Sequence, residues 1–143
     1  MLLVAAACGG GSQAATVATT APATTAASAP AATAAKPTLH VVVTAQDHHP
    51  KLGHPWTYHV RVTGKGGKPV ACNVNIQFYF GGMSVGEVGK HHLKHGVWNE
   101  TIPATGKDAF PPAAVGPKLV LHVTATAKGY RPGTGGWKLQ VVK

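Results

Sequence analysis

The chain has 143 residues and a formal net charge of +9, set by 13 Lys and Arg against four acidic residues: Asp47, Glu87, Glu100 and Asp108. That length allows one modest domain plus a tail, and carboxylates so few and so far apart argue against paired general acid/base chemistry. Two cysteines in unlike settings, Cys8 and Cys72, exclude a disulfide framework, and no apolar run reaches the roughly 18 residues of a membrane-spanning helix.

The chain begins Met1-Leu2-Leu3-Val4-Ala5-Ala6-Ala7-Cys8-Gly9-Gly10-Gly11-Ser12, an apolar run that passes through small residues into a cysteine. This stretch resembles the end of a bacterial lipoprotein signal peptide. The resemblance implies that Ala6 and Ala7 occupy the two positions before the cleavage site. Cys8 is then the acylated residue and the new N-terminus. Ala5 stands where the family usually has Leu, and no Lys or Arg precedes the run, which points to a start site further upstream. Residues 9–37 are almost wholly Ala, Thr, Pro, Gly and Ser. They cannot bury enough apolar surface to offset chain entropy, and Pro22, Pro30 and Pro37 stop helix propagation, so they predict a disordered tether. Stretched, such a tether spans on the order of 90 Å. The domain boundaries are therefore 1–8 for a truncated signal peptide, 9–37 for the linker and 38–143 for the folded domain.

From Leu39 the hydrophobic period becomes two, the signature of strands with one buried face. Strand A sets Leu39, Val41, Val43 and Ala45 inward. Strand B does the same with Trp56, Tyr58, Val60 and Val62, and the glycine-rich stretch from Gly64 to Pro69 predicts a hairpin into strand C. Strand C, Val70 to Phe80, is the longest uninterrupted alternation and reads as the centre of an antiparallel sheet. Ser84 to Val88 predicts a short strand D. Val97 to Ile102 predicts strand E with a bulge, because Glu100 shares a side with Trp98 and Ile102. After a proline-rich loop, strand F aligns Leu119, Leu121, Val123, Ala125 and Ala127, and strand G aligns Trp137, Leu139 and Val141. Seven short strands with regular turn signals predict an all-β, seven-stranded antiparallel sandwich. With "GKPV" at Gly67 to Val70 and "VTA" at Val43 to Ala45 and Val123 to Ala125, the domain resembles bacterial immunoglobulin-like or fibronectin type III-like modules. Cys72, on the apolar side of strand C, reads as a small buried hydrophobe.

Nine histidines are the chain's most unusual chemical feature. His48, His49 and His54 fall between strands A and B, and His91, His92 and His95 fall between Gly89 and Gly96. Imidazoles in such groups are zinc or copper ligands when three or four converge. Convergence of all six depends on topology: a true strand D puts the two loops at opposite poles. Ser84 is the domain's one serine, which leaves hydrolytic triads little to build on. Strand C carries no Lys or Arg to interleave with its aromatics, so nucleic acid is not an expected partner. The sequence therefore reads as a non-enzymatic, extracytoplasmic lipoprotein held to the bacterial membrane by its lipid anchor. Its immunoglobulin-like domain would be a structural, adhesive or binding module for cell-wall polymers or surface proteins, with no cofactor. The alternative is an extracytoplasmic zinc- or copper-binding protein that uses the loop histidines.

Overall fold

The computed structural model describes residues 34–143. The signal-peptide reading, Cys8 and the linker as far as residue 33 lie outside the described residues. Seven strands follow in order: His40–Ala45 (β1), Trp56–Thr63 (β2), Cys72–Phe80 (β3), Met83–Leu93 (β4), Val97–Ile102 (β5), Lys118–Thr126 (β6) and Gly133–Gln140 (β7). They form two antiparallel sheets, β1-β2-β5 and β4-β3-β6-β7, packed as an immunoglobulin-like sandwich. Its helical content among the described residues is two single 3₁₀ turns, Lys65–Gly67 and Pro112–Ala114.

The alternation read from the sequence is what builds the core. Val60, Val62, Val74, Ile76, Leu121, Val123 and Val141 are all buried, and each contributes about 1.5–3 kcal/mol relative to an exposed side chain. β3 is internal, paired with β4 on one side and β6 on the other. That is why its buried face is unbroken from Cys72 to Ile76.

Strand direction gives the domain two unlike poles. The chain enters β1 at one pole, where Leu39 N–H donates to Arg131 O (3.1 Å) and Arg131 N–H donates to Pro37 O (2.8 Å). The β1–β2, β3–β4 and β5–β6 connections gather at the other pole. The two long seams also differ. Along one, β1 lies so close to β7 that a Cβ at Gly133 would overlap Leu39 O, and one at Gly135 would stand 2.7 Å from Val41 O. The glycine run of β7 therefore serves close approach between sheets. The other seam lies between the edge strands β4 and β5.

Three expectations are corrected. The Gly64–Pro69 segment does not close a hairpin: β2 pairs with β1 and β5, so the segment carries the chain from one sheet to the other. Strand D is neither short nor confined to Ser84–Val88, since β4 runs for 11 residues beside β3 and takes in His91 and His92. β5 holds an even register with β2 from Trp56↔Ile102 to Arg61↔Val97, with no bulge. The irregularities fall instead between β3 and β4, where Val88 and Val85 are the extra residues opposite Ile76/Gln77 and Phe78/Tyr79. Trp137 faces inward as expected, opposite Leu121, and is half-buried at the rim, where it stacks on His48 at 4.1 Å and 5°.

Candidate functional site

The two histidine groups stand at opposite poles, and neither converges. His48 is fixed by its Trp137 stack and by a 2.6 Å hydrogen bond between Nδ1 and Lys138 O. His49 caps an Asx turn, its N–H donating to Asp47 Oδ1 (2.8 Å), and His54 is exposed. In β4 adjacent residues point to opposite faces. His92 lies outside, 2.8 Å from Asn73 Oδ1, while His91 lies inside against Trp98 (centroids 4.1 Å apart). His95 is exposed in the turn beyond. Among the described residues no three His, Cys, Asp or Glu side chains are placed to share a metal ion.

The polar centre that the fold does build lies at the β4/β5 seam. Glu100 keeps strict parity with Trp98 and Ile102, so its carboxylate enters the sandwich from the rim. There Oε2 accepts from the Tyr58 hydroxyl (2.6 Å) and from Trp98 Nε1 (2.9 Å), while His91 Nε2 stands 3.9 Å away. Two donors on one oxygen replace the water that burial removes, which is what allows an acid on an apolar face without a bulge. Burial, and then the hydrogen bond to Glu100, push the Tyr58 phenol far above its ordinary range, so it stays a donor. His91 Nε2 is buried without a hydrogen-bond partner. The signal for this centre was present in the sequence as the misfit of Glu100 in its strand.

Beside this centre, at the pole opposite the chain entry, a cleft of about 520 Å³ runs between β4 and the β5–β6 loop, lined by Phe78, Val85, Glu87, Glu100, Asp108 and Phe110. Three of the chain's four acidic residues, Glu87, Glu100 and Asp108, thus border one cleft. An adjoining apolar pocket of about 240 Å³ is formed by Phe78, Phe80, Phe110, Pro117 and Leu119. Phe110 plugs this end of the core, 5.8 Å from Trp56 and 5.7 Å from Phe78 by ring centroids. A lone aromatic in a proline-rich loop was its one mark in the sequence. Around the cleft mouth Phe80, Met83 and Val85 are 47%, 69% and 56% exposed, a solvent-facing apolar cluster on the β3–β4 hairpin.

Nucleophilic chemistry finds little support in this geometry. Ser84 is exposed at the start of β4, opposite Tyr79. Cys72 is buried, and that burial pushes its thiol up, away from the reactive thiolate.

No family model matches the chain, and no curated protein matches it. Among solved structures, the chain is similar to a CARDB domain from Pyrococcus furiosus, solved in complex with di-metal ions, at 17% identity and a TM-score of 0.38 over 74% of this chain and 89% of that one. It is also similar to a domain of the outer membrane lipoprotein Omp28 from Porphyromonas gingivalis, at 11% identity and a TM-score of 0.41 over 76% of this chain and 100% of that one. Similarity at these values assigns the chain neither a family nor a function.

Proposed function

We propose that the chain is a non-enzymatic lipoprotein of a bacterial envelope, acylated at Cys8, with residues 9–37 as tether and residues 38–143 as a displayed immunoglobulin-like binding module. The observation that carries this reading is the polarity of the domain. The chain enters at the pole where Leu39 is tied to Arg131, and the exposed Phe80, Met83 and Val85 stand at the opposite pole. A domain held by its N-terminal end presents that far pole outward, and exposed apolar clusters of this kind mark contact surfaces. The lipobox-like Ala6-Ala7-Cys8 and the uncharged Ala/Thr/Pro stretch supply the anchor and the reach.

The test is metabolic labelling with a radioactive fatty acid in cells that express the chain from its own chromosomal locus, followed by detergent-phase partitioning. Wild-type protein takes up label and enters the detergent phase, and Cys8→Ala loses both properties. An unlabelled wild-type chain in the aqueous phase would overturn the reading.

A further inference from the structure

The outer face of the four-stranded sheet is built around a row of amides. Along β3 its residues are Asn73, Asn75, Gln77 and Tyr79, an unbroken run of amides ending in a phenol. Across the strand pairings they meet Thr126, Thr124, His122 and Val120 on β6, and His92, Lys90, Glu87 and Ser84 on β4. Asn is a poor strand former, and an internal strand is the least natural place for two of them. Local bonding accounts for part of the arrangement: His92 Nδ1 lies 2.8 Å from Asn73 Oδ1, and the Tyr79 hydroxyl donates to Gln77 Oε1 (3.2 Å). Asn75 is different. Its Oδ1 is buried without a hydrogen-bond partner, although Thr124 stands opposite it. Folding alone gives no reason to keep such a group, because an unmet buried carbonyl costs stability. The same residue helps line a groove of about 540 Å³ with Asn73, Lys90, His92, Thr124 and Thr126.

We propose that this face binds a glycan chain, one that carries carboxylates among its hydroxyls. Amides and hydroxyls each donate and accept, which matches sugar hydroxyls and matches poorly with an apolar or purely ionic ligand. Tyr79, tilted against His122 with centroids 5.1 Å apart, adds an aromatic surface for the C–H side of a sugar ring. From Asn73 to Tyr79 the row extends about 20 Å, long enough for several rings in sequence. Lys90 on β4 and Lys138 on β7 rim the face against the single carboxylate of Glu87, so the rim favours an acidic chain. This inference deepens the binding-module reading by naming a ligand, and it needs no lipid anchor. The two therefore fail separately: the purified full chain tests the ligand, and fatty-acid labelling tests the anchor.

The experiment titrates isotope-labelled full-length protein with hexasaccharides of hyaluronan and of polygalacturonate, beside a short DNA duplex of similar charge. Expected are saturable binding of at least one acidic hexasaccharide and backbone shifts confined to β3, β4 and β6. Asn75→Ala should weaken binding about three- to tenfold, and Tyr79→Ala roughly tenfold. His59→Ala, on the outer face of the other sheet, should leave binding unchanged. Because the shift map is made on wild-type protein, the outcome holds even if a variant folds poorly. Absence of saturable binding, shifts centred on another face, or equal binding of the DNA duplex would each overturn the proposal.

Discussion

Replacing Glu100 with alanine is the sharpest test of the seam between β4 and β5. The change removes the acceptor of two donors, the Tyr58 hydroxyl at 2.6 Å and Trp98 Nε1 at 2.9 Å. Tyr58 is fully buried, so its hydroxyl is left without a partner and costs about 1–3 kcal/mol, towards the upper end because the lost bond was to a carboxylate. Trp98 is half-buried and can reach water, so its share is smaller. The sum is about 2–4 kcal/mol, a large part of the 5–15 kcal/mol expected of a whole domain and about 10–20 °C in Tm. Urea and thermal unfolding of the wild-type chain, Glu100→Ala, Tyr58→Phe and the double variant complete a cycle. The double variant should cost about 1–2 kcal/mol less than the sum of the singles, because it removes both partners together. A Glu100→Ala cost within about 0.5 kcal/mol, or strict additivity, would refute the claim that this carboxylate holds the seam.

Three further outcomes follow from the same geometry. Because the folded state raises the Tyr58 phenol well above its ordinary value near 10, the unfolded chain gives up that proton first. The contribution is present below about pH 10 and is lost above it at about 1.4 kcal/mol per pH unit, a slope that alkaline unfolding should show reduced in Tyr58→Phe. Gly133→Ala should destabilise by about 3 kcal/mol or more in thermal unfolding, since its Cβ would overlap Leu39 O. Gly86→Ala, with 3.7 Å to its nearest neighbour, should be tolerated. Calorimetric titration of the full chain with Zn²⁺ and Cu²⁺ should give weak, non-saturating heats, since His91 and His92 face opposite ways. Tight stoichiometric binding that disappears in the combined His91→Ala, His92→Ala and His95→Ala variant would contradict this.

Parity carried most of the fold. The alternation from Cys72 to Phe80 located the internal strand, and those in β1, β2 and β6 located three further strands, of which β6 pairs with it. Parity failed where a strand departs from it for a local reason. The extra residues Val85 and Val88 scramble the alternation of β4, so the sequence showed a short strand at Ser84–Val88 but not its continuation to Leu93 with two histidines. The glycines of β7 carry no hydrophobic signal, and what requires them, the backbone of Leu39 and Val41, comes from the far end of the domain. Glu100 was legible as a misfit, but its explanation was not, because Tyr58 lies 42 residues away in sequence. Sheet membership was equally hidden: a glycine-rich loop after β2 reads the same whether the next strand pairs with it or crosses to the facing sheet.

The mooring of β1 has a mechanical consequence. A pull on the domain's N-terminal end runs along His40–Ala45, at right angles to the ladder hydrogen bonds that join it to β2. The register pairs from His40↔Thr63 to Ala45↔Tyr58 then share the load and must fail together, while the Leu39–Arg131 bond braces the point where force enters. A strand peeled from one end gives way a bond at a time. This one is loaded in shear, the stronger arrangement for a domain dragged by flow or by a bound surface.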